Sequence, residues 1–400
     1  MPLNELRLLA VTHEASRTGA PIVLLRFLEW LRAEHGAHVE TLILKGGPLV
    51  DDFAAVGPIH LIPAYGTETL PLRIEHGMSR VHLGWAAELA RISRLRLAAR
   101  HLRGFDVLYC NSSTSAVALR MLPELPPHII AHVHELTSAF NHWMDDVDRR
   151  LLISRSSAFV VAANCVGQNL IDNHGVRPER IRLCYEFIDL PLPDDLATER
   201  ARASLRLADG ELVVGSMGTA DWRKGTDLFL QMAALVRRRA PELKVRFVWV
   251  GKRLEWESLA HRADVGGLDL DDIVTFTDEV SDPASYLSLF DVFCLTSRED
   301  PYPLVCLEAG ALGVPVVSFD NGGMRELAIA DGVERPLLTR IDYLDVEGMA
   351  DAVIGLLRDP EGRAASGDRL RDWVVDKHLS PVGAADVGGV VTDLLDRSRR

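Results

Sequence analysis

Four hundred residues exceed what one hydrophobic core usually supports, so two domains of similar size are expected. Apolar residues at 48% and charged residues at 25% describe an ordinary globular protein. The formal net charge of −13 argues against a nucleic-acid partner, because a phosphate backbone needs a basic face.

Five cysteines (110, 165, 184, 294 and 306) form no Cys-x-x-Cys pair, and Cys110 and Cys294 fall at strand-like ends, which reads as small core residues in a reducing compartment. The start, Met1 to Arg7, has no basic region followed by a long apolar run. No stretch reaches the ~18 apolar residues of a membrane span. A cytoplasmic protein is expected.

Short β-branched or Leu-rich runs alternate with longer helical patterns along the chain. The first half offers strands at Leu6–Val11, Val39–Leu44, Val107–Cys110, Ile129–Val133 and Phe159–Ala162. The second offers Leu212–Ser216, Val245–Val250, Ile273–Phe276, Val292–Leu295 and Pro315–Phe319. Stripes such as Ile22, Leu25, Leu28, Leu31 and Leu228, Met232, Leu235 predict helices between them. This alternation implies right-handed crossovers and parallel sheets, hence an α/β fold of two Rossmann-like domains. The polar run Pro191–Asp195 reads as the linker, giving domains over 1–190 and 191–375. Residues 376–400 follow as a C-terminal helix that could pack back on the first domain.

Four places carry chemistry. In the first, Val11 to Pro21 read as a strand end, a polar loop and a helix start. Gly19 and Ala20 let backbone approach a ligand and Pro21 suits the first helical turn, whose N–H groups attract an anion. A plain Thr18 cap followed by a glycine turn explains the same residues. The second place is His132-Val133-His134-Glu135, leaving a strand. Alternation puts both histidines on one face, but no third ligand group is suitably spaced for a metal, so a single imidazole, His134, is the candidate.

The third is Gly215 to Asp227, where Gly218 and Thr219 open the loop and Arg223-Lys224-Gly225 can meet a diphosphate, the arginine as a fork and the lysine as a point charge. The fourth runs Ser297-Arg298-Glu299-Asp300-Pro301 into a helix carrying Glu308, then to Asn321-Gly322-Gly323 and Glu326. A carboxylate accepts hydrogen bonds from hydroxyls, so Glu308 fits a ribose diol, and Asp300 or Glu299 a hexose. The apolar neighbours of Glu308 leave little solvated face. Asp146-x-Asp148 and Asp269-x-Asp271 have cation-site spacing but are read as surface. Between Arg80 and Arg103 five arginines (91, 94, 96, 100 and 103) interleave with leucines and one acid, Glu88. That stripe could rest on anionic lipid or simply be a solvated helix face.

The order Gly19-Ala20-Pro21, His134, Arg223-Lys224-Gly225, Asp300…Glu308 and Gly322-Gly323…Glu326 resembles a retaining glycosyltransferase of family 4 with the GT-B fold, two Rossmann-like domains facing across a cleft. The resemblance implies a metal-independent hexosyltransferase with no cofactor, whose donor is a UDP- or GDP-sugar and whose acceptor is a hydroxyl of a glycan or lipid-linked molecule, in cell-surface polysaccharide or glycolipid synthesis. It makes the first domain the acceptor side and the second the nucleotide-sugar side. By the same resemblance Lys224 neutralises the departing diphosphate, Glu308 holds the ribose, the acidic position at Asp300 touches the sugar, and His134 lies near the sugar hydroxyls. Two departures stand out: Asp300 replaces the first Glu of the E-x7-E motif, and Thr219 stands where a basic residue is usual, with Arg223 able to take over. The competing readings are a nucleotide-sugar epimerase of the same fold and a catalytically silent nucleotide-sugar-binding protein.

Overall fold

The computed structural model describes residues 2–62, 84–137, 140, 144–330 and 332–397, with side chains 84–87 not described. Two compact units are present: one takes the chain up to Tyr185 together with the residues from Ser380 onward, the other runs Glu186–Leu379. The helix after Leu379 therefore belongs with the first unit.

In the first unit the chain runs β1 (Arg7–Thr12), α1 (Gly19–His35), β2 (His38–Ile43), α2 (Val50–Val56), β3 (Ile59–Leu61), α3 (Gly84–Ala99), β4 (Val107–Asn111) and α4 (Ala118–Met121). It continues β5 (His128–Val133), α5 (Asp146–Arg155), β6 (Ala158–Val161), α6 (Asn164–His174) and β7 (Ile181–Leu183). All pairings are parallel, in the order β3-β2-β1-β4-β5-β6-β7. Helices on both faces explain why β4 and β6 read as unbroken apolar runs: every residue in them is buried. The three-residue β3 and β7 escape sequence detection because they are edge strands whose half-exposed residues show no apolar run.

The second unit runs α7 (Asp195–Ser204), β8 (Leu212–Met217), α8 (Thr226–Arg239), β9 (Val245–Val250), α9 (Glu255–Gly267), β10 (Val274–Phe276), α10 (Pro283–Leu287), β11 (Val292–Leu295) and α11 (Leu304–Ala311). Then follow β12 (Val316–Phe319), α12 (Met324–Ala328), β13 (Thr339–Ile341), α13 (Val346–Arg358) and α14 (Pro360–Lys377). Its six strands are parallel, in the order β10-β9-β8-β11-β12-β13. Phe229 packs edge-on against Trp249 at 5.4 Å and Phe247 at 6.0 Å in the core. The buried indole of Trp249 donates to the Gly218 carbonyl at 2.9 Å, so the polar atom is satisfied and the loop after β8 is tied to the sheet.

Each sheet has one switch point, between β1 and β4 in the first and between β8 and β11 in the second. There the crossovers leave in opposite directions and the loops at the carboxyl ends part, which opens a crevice for a ligand.

Two expectations are corrected. The α1 stripe is not Ile22, Leu25, Leu28, Leu31: Val23, Leu24, Phe27, Leu28 and Leu31 are buried, while Ile22 and Leu25 are half-buried. The reason is α15 (Ser380–Arg397), which packs along α1 and covers a second side of it. Asp148 is not a surface acid either. It is buried, its carboxylate lies 3.3 Å from Arg120, and burial together with Asp145 pushes its pKa up to about 6 against the pull of that guanidinium. No disulfide joins the five cysteines among the described residues, and burial pushes Cys110 up to about 12.

A Cβ on Gly388 of α15 would lie 2.5 Å from the Trp30 ring, whereas one on Gly389 meets nothing within 4 Å. Gly388→Leu is expected to cost about 1–3 kcal/mol by overpacking. Thermal melts should show a clear drop for that variant and little change for Gly389→Leu.

Candidate active site

On the second unit the site is built from the loops after β8, β11 and β12. Asp221 Oδ1 accepts from the Lys224 N–H at 2.7 Å, folding the loop after β8 back on itself. Gly225 then closes it with φ 71°, and a Cβ there would sit 2.0 Å from the Thr296 carbonyl oxygen. Only glycine meets both demands. The neighbouring loop is stitched to it: Arg298 N–H donates to the Arg223 carbonyl at 2.8 Å, and the Thr296 hydroxyl to the Lys224 carbonyl at 3.1 Å.

These contacts deliver Lys224 Nζ to Asp300 Oδ2 at 2.6 Å. Ser297 Oγ donates to the same oxygen at 3.1 Å, and Arg223 Nη1 stands 4.0 Å from it while donating to the Glu299 carbonyl at 3.0 Å. Burial alone would raise the Asp300 carboxyl, but the charges of Lys224 and Arg223 and the hydrogen bonds from Lys224 and Ser297 hold it below its usual range. The loop after β12 locks in behind. Asn321 Nδ2 donates to the carbonyls of Ser297 (2.7 Å) and Arg298 (3.2 Å), and Gly323 N–H to that of Pro301 (2.6 Å). Gly322 has φ 51°, and a Cβ on it would be 1.9 Å from the Asp300 carbonyl oxygen.

Of the residues singled out in the sequence, Arg223, Lys224, Glu299, Asp300, Gly322 and Gly323 are thus brought together, and Gly218 lies against the Lys224 side chain, 3.3 Å from its Cε for an added Cβ. Thr219 is half-exposed at the mouth of the same loop. Glu308, on α11, is half-buried rather than buried. Its charge, with those of Asp300 and Lys224, reaches the enclosed Cys306 thiol, which burial and then Asp300 push well above the ordinary range. Glu326 sits half-buried in the first turn of α12.

Arg298 is a supporting residue the sequence did not single out. It forks onto Asp227 with two bonds of 2.8 Å, donates to the Trp222 carbonyl at 2.7 Å and stacks its guanidinium over the Trp222 ring at 4.9 Å.

On the first unit, the loops after β1, β4 and β5 meet. Asn111 Nδ2 donates to the Ala20 carbonyl at 2.9 Å, which turns its Oδ1 to the His134 ring, 2.9 Å from Nε2. A carbonyl can only accept, so the amide orientation is fixed and Nε2 carries the His134 proton. The His132 ring lies 3.9 Å away, centroid to centroid, with its Nδ1 2.7 Å from the Tyr109 hydroxyl. Burial, reinforced by His134, keeps His132 well below its usual pKa and hence neutral. Thr18 precedes α1 but its side chain does not cap it; its hydroxyl faces Ser16 at 2.8 Å.

Two family models match: "Glycosyltransferase Family 4" over residues 18–191 and "Glycosyl transferases group 1" over residues 211–359. The chain belongs to glycosyltransferase family 4. This glycosyltransferase is 25% identical over 333 residues to the D-inositol 3-phosphate glycosyltransferase of Kribbella flavida, covering 77% of this chain and 76% of that one. It is 33% identical over 195 residues to a GDP-mannose-dependent alpha-(1-6)-phosphatidylinositol monomannoside mannosyltransferase of Mycolicibacterium smegmatis, covering 46% and 48% of the two chains. Among solved structures it resembles HepE of Anabaena in complex with UDP and glucose, with a TM-score of 0.75, 18% identity and coverage of 97% and 100%. Sucrose-phosphate synthase of Thermosynechococcus elongatus gives a TM-score of 0.75 at 19% identity, covering 98% and 100%. The fold is GT-B, and the activity is nucleotide-sugar-dependent glycosyl transfer of the hexosyltransferase class. The epimerase and silent-binder readings are not favoured.

Asp300 has a depressed pKa in the folded state, so its pairing contributes stability above the unfolded value of about 4 and loses it as pH falls through the folded value. Asp300→Asn strands the Lys224 cation and should cost about 3 kcal/mol at neutral pH. Denaturant titrations of both proteins should show that gap shrinking steadily below about pH 4.

Proposed function

We propose that this glycosyltransferase moves a hexose from a UDP- or GDP-sugar to a hydroxyl of a glycan or lipid-linked acceptor, with retention at the anomeric carbon and without a resident metal. The observation that carries this reading is the Lys224–Asp300 pair with Arg223 beside it. One carboxylate faces two cations, so the cluster holds a surplus positive charge for the donor diphosphate. Arg223 supplies the second charge in a loop where Thr219 supplies none.

The remaining roles follow from position. Gly218, Thr219, Gly322 and Gly323 present backbone at the switch-point edge, Glu299 and Asp300 offer carboxylate oxygens to the hexose, Glu308 to the ribose, and Glu326 extends the donor side. Gly19 and Ala20 offer backbone to the donor, and His134 acts near the hydroxyls of the transferred sugar. In the transfer step the acceptor oxygen bonds to the anomeric carbon on the face from which the diphosphate leaves. The carbon–oxygen bond to the diphosphate breaks with its electron pair, and a leaving phosphate oxygen takes the acceptor proton. Charge grows on the diphosphate as that bond breaks, so Lys224 and Arg223 bind the transition state more tightly than the bound donor.

Lys224→Ala should therefore lower kcat by roughly 10²–10³-fold with acceptor KM little changed. Initial rates with each nucleotide sugar test this, and unaltered turnover would refute the assignment. Because the cations do the work of a divalent ion, chelation with EDTA should leave the rate intact; a loss restored by added metal would overturn the metal-independent reading.

A contact with anionic membrane is favoured by α3. Leu89, Ser93, Arg96, Leu97 and Arg100 are all exposed, and their spacing puts them on one face. Arg91 forks onto Glu88, at 2.7 and 2.9 Å, while Arg96 Nε donates to the Arg120 carbonyl at 2.8 Å with the rest of its side chain exposed. Residues 80–83 of the basic segment lie outside the described residues. No helix among the described residues is long and apolar enough to cross a membrane. The double variant Arg96→Glu/Arg100→Glu should lose sedimentation with phosphatidylserine vesicles, and sedimentation indifferent to lipid charge would remove this contact.

A further inference from the structure

Beside His134 lies a carboxylate that transfer chemistry does not directly require. Glu135 is only 7% exposed. A buried carboxylate is costly unless donors surround it, and here they do. The Ser112 hydroxyl donates to Oε1, the Ser113 N–H lies 3.1 and 3.2 Å from the two oxygens, and the His134 N–H donates to Oε2 at 3.0 Å.

Those donors come from two different strands. Ser112 and Ser113 follow β4, and His134 follows β5. Ser112 adopts φ 72°, a left-handed conformation that a serine holds at a cost of about 1–3 kcal/mol. Its N–H donates to the His132 carbonyl at 2.8 Å while its hydroxyl reaches Glu135. The carboxylate thus clamps the turn after β4 to the end of β5. From there the chain of contacts continues through the His134 ring to Asn111 and the first turn of α1 at Ala20.

We propose that Glu135 is a positioning residue for the transfer reaction: its carboxylate fixes the backbone of His134 against the Ser112–Ser113 turn. It acts through His134 and does not itself touch substrate, so the inference rests on His134 acting near the hydroxyls of the transferred sugar. Within the unit that runs up to Tyr185, the groups facing this cluster include His13, Glu14 and Lys45 from the β1 and β2 ends, Tyr109 from β4, and His132 and His134 from β5. His13 is held below its usual pKa by burial, with Glu135 the leading opposing charge, Glu14 next, and His134 and Lys45 adding to the lowering.

The test is Glu135→Gln, which keeps the shape and removes the charge. Expected are a fall in kcat of about tenfold or more, an unchanged donor KM, and a shift to lower pH of the histidine-dependent limb of the kcat/KM profile. The sign follows because removing a negative charge disfavours the imidazolium and lowers its pKa. Ser112→Gly separates positioning from folding: glycine accepts φ 72° without strain, so the melting temperature should hold while kcat falls. Wild-type kcat and an unmoved pH profile in Glu135→Gln, alongside an inactive His134→Ala, would overturn this proposal and leave the role of His134 standing. A fully active His134→Ala would overturn both.

Discussion

The second unit is organised around one buried ion pair, Lys224 with Asp300, whose partners are 76 residues apart in sequence. They meet because β8 and β11 are neighbours at the switch point, where the loops after each strand stand side by side. Several features of the surrounding loops accommodate the pair. Gly225 has no side chain because the Thr296 carbonyl occupies that space, and Gly322 has none because the Asp300 carbonyl does. Ser297 gives Asp300 a further donor, and Asn321 holds the carbonyls of that loop. A buried pair of this kind adds little net stability, but either charge alone would be strongly destabilising. The pair therefore constrains the loops to one arrangement, whatever its contribution to folding.

The first unit reaches a comparable result by different means. Its switch point lies between β1 and β4, and the loops there are held by hydrogen bonds to a lone buried carboxylate and by a fixed amide. One unit presents Lys224 and Arg223 around Asp300, the other a set of imidazoles beside Glu135, of which burial keeps His132 neutral.

Legibility differed by kind of residue. Arg223 and Lys224 stood out because they precede Gly225 in a loop at the carboxyl end of the second domain's first strand, and Asp300 because its acidic loop follows a buried-looking strand. Glu135 and Asn111 did not. Glu135 reads as a polar residue ending a strand, and nothing local says that its carboxylate turns inward to Ser112. The run Asn111-Ser112-Ser113-Thr114-Ser115 was the one available signal, a cluster of hydroxyls directly after a buried strand. Asp148 misled for the opposite reason: its sequence neighbours are charged, and it is a residue from another helix region, Arg120, that encloses it.

Sequence alone determined the strand–helix alternation, the two-sheet architecture, the family and the charged residues of the loops after β8 and β11. These depend on periodicity and on residues adjacent in the chain, which local physics constrains. The tertiary structure decided which loops touch, that α15 returns to cover α1, that His134 Nε2 carries its proton, and that Ser112 holds a left-handed turn for Glu135. Those outcomes hang on partners from distant strands, and hydrogen-bond direction and burial exist only once such partners are in place.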